Sequence, residues 1–339
     1  MRIEEYVSIA PFTTFHIGGE ARFFIEAQTE KDIEEAIVHA RERGLTLHPL
    51  GSGSNVLVPD EGVAGVVLKI ALSDITFEDN GADTLLVAGA GARWEDVVDA
   101  AVSRGLFGIE NLAGIPGTVG GAAVQNIGAY GAELADTFAY ADVIDSVTGA
   151  SRRLDRSEAA FSYRTSFFKM HRELIIARVA LQLKKSATPN IAYPDLVRAQ
   201  AEGASLATPG EIACAIRAIR AAKFPQSAEE GTAGSFFKNP IVSRAVAAEL
   251  TQRFPGVPQF VQEDGTVKIP LAWLLDHALA LKGFTKNNVR LYEKQPLVIV
   301  ARAGARAEEV DAFARDVAER VHAATGITIE REVETFGIR

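Results

Sequence analysis

The sequence predicts an α+β protein of two or three domains, and three observations carry that expectation. Residues 22–50 read as strand, helix and strand. A glycine-rich stretch at 111–131 is followed by short strands, and from about residue 205 the texture turns helical. The length of 339 residues accommodates two or three domains of ordinary size.

In chain order, Arg22 to Ala27 reads as a strand. Thr29 then caps a helix, with Asp32 three residues on in a near capping box. Ile33, Ala36, Ile37 and Ala40 line one face of this helix, Gly44 stops it, and Leu45 to Leu50 forms the next strand. The β-α-β unit ends in Gly51-Ser-Gly-Ser-Asn55. A dinucleotide fingerprint needs a third glycine that opens a helix, and Val56 stands in that place. Val56 to Pro59 therefore predicts a strand or turn. The loop reads either as a phosphate cradle or as a connecting turn.

Strands follow at Gly65–Ile70 and Leu85–Gly89, then a helix at Arg93–Arg104 with Val97, Val98, Ala101 and Val102 inward. The stretch Asn111 to Gly131 holds six glycines and few bulky side chains. It suits either close approach of backbone to a flat or anionic ligand, or a run of tight turns and short strands. Short strands come next near Asp142–Asp145 and Leu174–Leu183. Thr208-Pro-Gly-Glu211 is a complete capping box with proline at the first helical position, so a helix is predicted to run to about Lys223, where Pro225 bars extension. Further helices are expected at Ser243–Phe254, Pro270–Leu281 and Glu308–Ala324. Strands are expected at Leu297–Ala301 and at the end, Ile327–Val333.

Apolar residues make up 47% of the chain and charged residues 23%, with a net charge of -9, the profile of a soluble globular protein. An acidic surface disfavours nucleic acid or anionic membrane as the main partner. Cys214 is the only cysteine, which excludes an intrachain disulfide. The six histidines show no metal-ligand spacing, so no metal is expected. No apolar run is long enough to span a bilayer, and the start lacks a signal-peptide core, which together suggest a cytoplasmic protein.

Four places offer chemistry. Ser235 lies between Gly234 and two phenylalanines, without the motif of an acyl-enzyme nucleophile, and reads as a proton-bearing hydroxyl or a turn serine. Lys238 and Asn239 follow as donors. Tyr163 and Arg164 sit side by side; in a strand they would face opposite ways, and the arginine suits a carboxylate clamp or a surface ion pair. In the final strand, alternation sets Ile327, Ile329 and Val333 with Arg331, and Glu330, Glu332 and Glu334 with Thr328. Three carboxylates on one face read as a solvated edge.

The segments Thr14–Gly19, Leu50–Leu57, Asn111–Gly120, Gln125–Gly131, Tyr163-Arg164, Ala233–Pro240 and Glu330–Val333, in that order, resemble the UDP-N-acetylenolpyruvoylglucosamine reductase family over nearly the whole chain. The resemblance implies a flavin-binding fold of the vanillyl-alcohol-oxidase type. Its two flavin subdomains would be 1–70, joined by about 327–339, and 71–205, with a substrate domain at 206–326. It implies non-covalent FAD, NADPH as hydride donor and reduction of a UDP-sugar enolpyruvyl ether in peptidoglycan synthesis. Gly51, Ser52, Gly53, Ser54 and Asn55 would hold the pyrophosphate. Ile115, Pro116, Gly117, Thr118, Gly120, Gly121, Gln125, Asn126 and Gly128 would run along the flavin. Arg164, Ser235 and Glu332 match the catalytic trio, with motif register favouring Glu332 over Glu330. Tyr163, Tyr193, Lys223, Lys238 and Asn239 match substrate contacts, Tyr193 as the capping tyrosine of the longer subtype. Glu334 and Pro194 depart from the family pattern, in which a basic residue and a glycine are expected. A monomer is the expected state. The rivals are a flavin oxidase of the same fold and a UDP-sugar binder without flavin.

Overall fold

The computed structural model describes residues 1–225 and 229–337; the last two residues of the C-terminal segment lie outside that range. The chain packs as two units. The first comprises Met1–Val7, Ala21–Ser52 and Val63–Ala221, and the second Ser8–Glu20, Gly53–Gly62 and Ala222–Arg339.

In the first unit the expected β-α-β element is present, with a third strand inserted between its two strands. The sheet order is Ile3–Ser8, Glu20–Ala27, Val63–Ile70, Leu47–Leu50, and Val63–Ile70 runs parallel to the strands on either side of it. The intervening helix, Glu30–Glu42, carries the full capping box: the Thr29 hydroxyl accepts from the Asp32 amide, and Asp32 accepts from the Thr29 amide. Its buried Ile33, Ala36, Ile37 and Ala40 join the core that the predicted spacing required.

A second sheet is antiparallel throughout, in the order Ser151–Asp155, Phe138–Asp145, Leu174–Lys184, Asp83–Gly89, Ile75–Asn80. One continuous core serves both sheets of this unit, with Trp94 at its centre donating its indole N–H to the Leu112 carbonyl at 2.9 Å. The glycine-rich stretch is not a run of turns alone. Val119–Gln125 is a short helix, capped by the Thr118 hydroxyl and ended by Asn126 in a left-handed conformation. Small residues hid it from periodicity; only Val119, Gly120, Ala122 and Ala123 are buried along it.

The second unit has its own core, built on Phe236, Phe237, Leu274, Phe313, Val317 and Val321. Its main sheet orders Glu230–Gly231, Ile299–Arg302, Val289–Leu291 and Thr285–Lys286, all antiparallel. A smaller sheet joins Ile241–Val242, Val267–Lys268 and Phe260–Val261. Of the strand or turn expected at Val56 to Pro59, Val56–Leu57 forms a short strand, and it pairs in parallel with Glu334–Thr335.

The expected terminal strand at 327–333 needs correction. The segment is extended and keeps the alternation, with Ile327, Ile329 and Val333 buried, but regular pairing begins only at Glu334. Before that point it is held by isolated contacts, a bridge from Arg331 to Phe237 and three backbone bonds to the 236–238 segment. Alternation reports burial, and burial does not require a ladder partner at every residue.

Candidate active site

The loop Gly51–Asn55 is shaped by what its glycines lack. A Cβ on Gly51 would lie 2.6 Å from the Thr118 hydroxyl oxygen. Gly53 has φ 63°, and a Cβ there would lie 2.3 Å from the Phe12 carbonyl oxygen. Neither position admits a side chain without moving backbone or the Thr118 cap. Between them the Ser52 hydroxyl is buried and has no hydrogen-bond partner among the described residues. Leaving such a group unsatisfied costs about 1–3 kcal/mol, so an orphan hydroxyl in a glycine loop fits an external acceptor such as a diphosphate oxygen.

Lys69 is a residue that sequence reasoning missed. Its strand pairs with Leu50, and its ammonium donates to the Gly51 carbonyl at the start of the loop. Burial pulls its pKa below the ordinary lysine value, opposed by the nearby Glu26 carboxylate. The available signal was one cation inside the apolar run Gly65–Ile70.

Ile115 to Gly117 lead into the Val119–Gln125 helix, Pro116 and Gly121 being exposed and Gly120 lying tight against Ala90, where a Cβ would come within 2.9 Å of the alanine methyl. Arg220 braces this segment from its own helix by donating to the Gly114 carbonyl at 2.9 Å. Gln125 accepts from Lys169 at 2.9 Å. Asn126 is wholly buried and spends its side chain on protein: its amide donates to Glu133 and to the Ser162 carbonyl, and its oxygen accepts from the Ala135 amide.

Tyr163 and Arg164 do not lie in a strand. They form the apex of a tight turn closed by reciprocal backbone bonds between Ser162 and Thr165. Arg164 has φ 56°, an uncommon conformation for a non-glycine residue. The turn sets its guanidinium 5.3 Å from the Tyr163 ring, on the same side rather than the opposite one, and donating to the Gly128 carbonyl at 2.6 Å. Arginine and the end of the glycine-rich stretch are thus in direct contact.

Tyr193 precedes the helix Pro194–Ala201, so Pro194 occupies the first helical turn, where proline is tolerated. Its ring meets Tyr130 edge-on at 5.2 Å. Asn111 holds that loop by donating to the carbonyls of Tyr130 and Asn190, each at 2.8 Å. Burial pushes the Tyr130 phenol up to about 12.

In the second unit, Lys223 ends the helix Pro209–Lys223. Ser235 is half-buried and bridged to Val298, and the next residue, Phe236, donates its amide to the Leu297 carbonyl at 2.8 Å. Phe236 and Phe237 are core residues, so the serine is held by a rigid neighbour on its C-terminal side. Asn239 accepts from the Leu271 amide at 2.9 Å. The extended C-terminal segment runs alongside: the Glu332 amide donates to the Phe236 carbonyl and the Lys238 amide to the Glu330 carbonyl, both at 2.9 Å.

That pairing separates the two glutamates. Glu330 is exposed and neutralised by the Lys238 ammonium at 3.0 Å, whereas Glu332 is half-buried and bonded through its backbone to the residue after Ser235. Arg331 turns the other way, onto Asp311. Three like charges on one solvated edge are therefore not what the fold contains.

Comparison with known proteins defines the class first. Residues 21–155 match the FAD binding domain family, so the chain is a flavoprotein. Residues 226–336 match the UDP-N-acetylenolpyruvoylglucosamine reductase, C-terminal domain. The UDP-N-acetylenolpyruvoylglucosamine reductase of Pseudomonas aeruginosa is 39% identical over 99% of both chains, and that of Ralstonia nicotianae 38% identical over 97% of this chain and 98% of its own. The crystal structure of the Thermus caldophilus enzyme superposes with a TM-score of 0.69 at 28% identity, covering 99% of each chain. The chain belongs to the UDP-N-acetylenolpyruvoylglucosamine reductase family.

Proposed function

We propose that this protein is an FAD-dependent, NADPH-using reductase that converts UDP-N-acetylglucosamine enolpyruvate to UDP-N-acetylmuramate for peptidoglycan synthesis. The observation that carries the reading is the match of a flavin domain and the reductase-specific C-terminal domain within one chain, at full length. The three-part division at 1–70, 71–205 and 206–326 belongs to this proposal, as do a monomeric state and a cytoplasmic location.

The loop Gly51–Asn55, with its orphan Ser52 hydroxyl and the Lys69 cation behind it, suits the cofactor's diphosphate. Ile115–Thr118, Gly120, Gly121, Gln125 and Gly128 supply small or backbone surface for the isoalloxazine, and Asn126 serves by anchoring the turn that bears Arg164. With FAD held there, the chemistry it would supply is hydride donation to the terminal carbon of the enolpyruvyl group. Negative charge then develops on the substrate carboxylate side, where Arg164 and a protonated Glu332 stabilise it; one well-placed donor is worth about 3 kcal/mol. Ser235 delivers the proton to the carbon beside the carboxylate, a transfer whose acceptor is strongly basic. Tyr163, Tyr193, Lys223, Lys238 and Asn239 bind the UDP-sugar. Lys238 must then exchange its partner Glu330 for substrate or share it.

Stopped-flow absorbance of the bound flavin tests this. NADPH should bleach it anaerobically, and UDP-N-acetylglucosamine enolpyruvate should restore the colour with formation of the lactyl ether. Ser235→Ala should still be reduced by NADPH, while recolouring slows by about 10²–10⁴-fold. Normal recolouring in that variant removes Ser235 as the proton donor. Reduced protein that ignores the substrate but reacts quickly with oxygen would instead mark an oxidase.

A further inference from the structure

Asn55 is the last residue of the glycine-serine loop, yet its side chain is directed at the far end of the chain. Its Nδ2 donates to the Glu332 carbonyl at 3.1 Å, across 277 residues of sequence. Its own carbonyl accepts from the Glu334 amide, also at 3.1 Å. The next two residues continue the connection as a parallel ladder, Val56 with Glu334 and Leu57 with Thr335, and the Phe336 amide closes it on the Leu57 carbonyl at 2.9 Å. On the other side of the segment, the Glu332 amide is spent on the Phe236 carbonyl. Both backbone polar groups of residue 332 are therefore committed, the amide to the residue after Ser235 and the carbonyl to Asn55.

We propose that Asn55 is a positioning residue for Glu332, fixing the glutamate's peptide so that its carboxyl is presented at a constant place beside the serine-bearing segment. Asparagine is the residue that meets the geometry. The Glu332 carbonyl needs a donor, which an ionised aspartate lacks. The loop's backbone remains available to a diphosphate while its terminal side chain serves the reaction centre, so the cofactor loop and the Glu332 segment share one fixed point. The inference rests on the role given to Glu332 above. Small displacements of reacting groups are costly, a shift of about 1 Å reaching 10²-fold in rate.

The test uses the purified holoprotein and four forms: wild type, Asn55→Ala, Glu332→Ala and the double variant. Flavin per protein, reduction by NADPH and recolouring by UDP-N-acetylglucosamine enolpyruvate are measured for each. With rates taken per bound flavin, because Asn55 also belongs to the cofactor loop, we expect Asn55→Ala to slow recolouring by roughly 10-fold or more beyond any slowing of reduction by NADPH, and the double variant to be no slower than Glu332→Ala. Asn55→Asp should be as slow as Asn55→Ala. Multiplicative losses in the double variant, or loss of flavin with equal slowing of both half-reactions, would overturn the positioning role while leaving Glu332 in place. A normal rate in Glu332→Ala would overturn the assignment of Glu332 and the positioning role with it.

Discussion

Glu110 shows how a single residue near the glycine-rich stretch links burial to pH. Its carboxyl is 5% exposed and accepts from the Gly108 amide, just before the chain enters the segment that we assign to the flavin. Burial raises its pKa above the ordinary 4.5, with the amides of Gly108, Glu110 and Ile109 opposing the shift. The native state therefore holds a proton that the unfolded state releases, and stability falls as pH rises from 4.5 through the folded value. Glu110→Gln removes the titration but keeps an acceptor for Gly108. The variant should melt at a higher temperature than wild type at pH 7, and the difference should vanish below about pH 4. An equal difference at both pH values would refute burial of the charge as its cause. The sequence offered Arg164 and Ser235 as chemistry-bearing residues, but the left-handed turn at Arg164 and the orphan hydroxyl of Ser52 have no local sequence signature.

Among the elements, helix boundaries were the most legible because their signals are local. Thr29 and Thr208 cap as expected, the latter hydroxyl accepting from the Glu211 amide while Glu211 accepts from the Thr208 amide. The long helix Ala307–Thr325 ends at a glycine, Gly326 with φ 76°. Its start is different. Asp60, from the loop after Val56–Leu57, accepts from the Ala307 amide at 2.9 Å and the Glu308 amide at 3.1 Å. A cap contributed from 247 residues away cannot be read from the helix's own flanks. Two charge-assisted bonds at a helix N-terminus predict that Asp60→Ala lowers stability by about 1 kcal/mol, within roughly 0.5–2. Urea unfolding checks this, and an unchanged midpoint would show that water accepts from the freed amides as well as Asp60 does. The extended segment before Glu334 was misread as a strand for a related reason, since its alternation is set by burial against the second unit's core.

At the scale of the whole molecule, the flavin should be held without a covalent tether. Cys214 is exposed on the helix Pro209–Lys223, and no group of metal-ligating side chains occurs among the described residues. Heat-denatured holoprotein should release all its yellow colour to the supernatant, and colour retained in the pellet would contradict this. No helix among the described residues is long and apolar enough to cross a membrane. By itself the sequence determined the mixture of helices and strands, the caps at Thr29 and Thr208 and the failure of the dinucleotide fingerprint at Val56. Through the order of its motifs it also determined the family. These are properties of spacing and residue type, which act over a few residues and survive without tertiary context. Only the tertiary structure separates the surroundings of Glu330 and Glu332, which share a periodicity: folding brings the Lys238 ammonium to one and bonds the peptide groups of the other to Phe236 and Asn55. It likewise decided that Lys69 lies behind Gly51 and that Asn55 reaches Glu332. A hydrogen bond between distant residues needs its donor and acceptor within about 3 Å, and that coincidence is set by packing of the whole unit rather than by any local pattern.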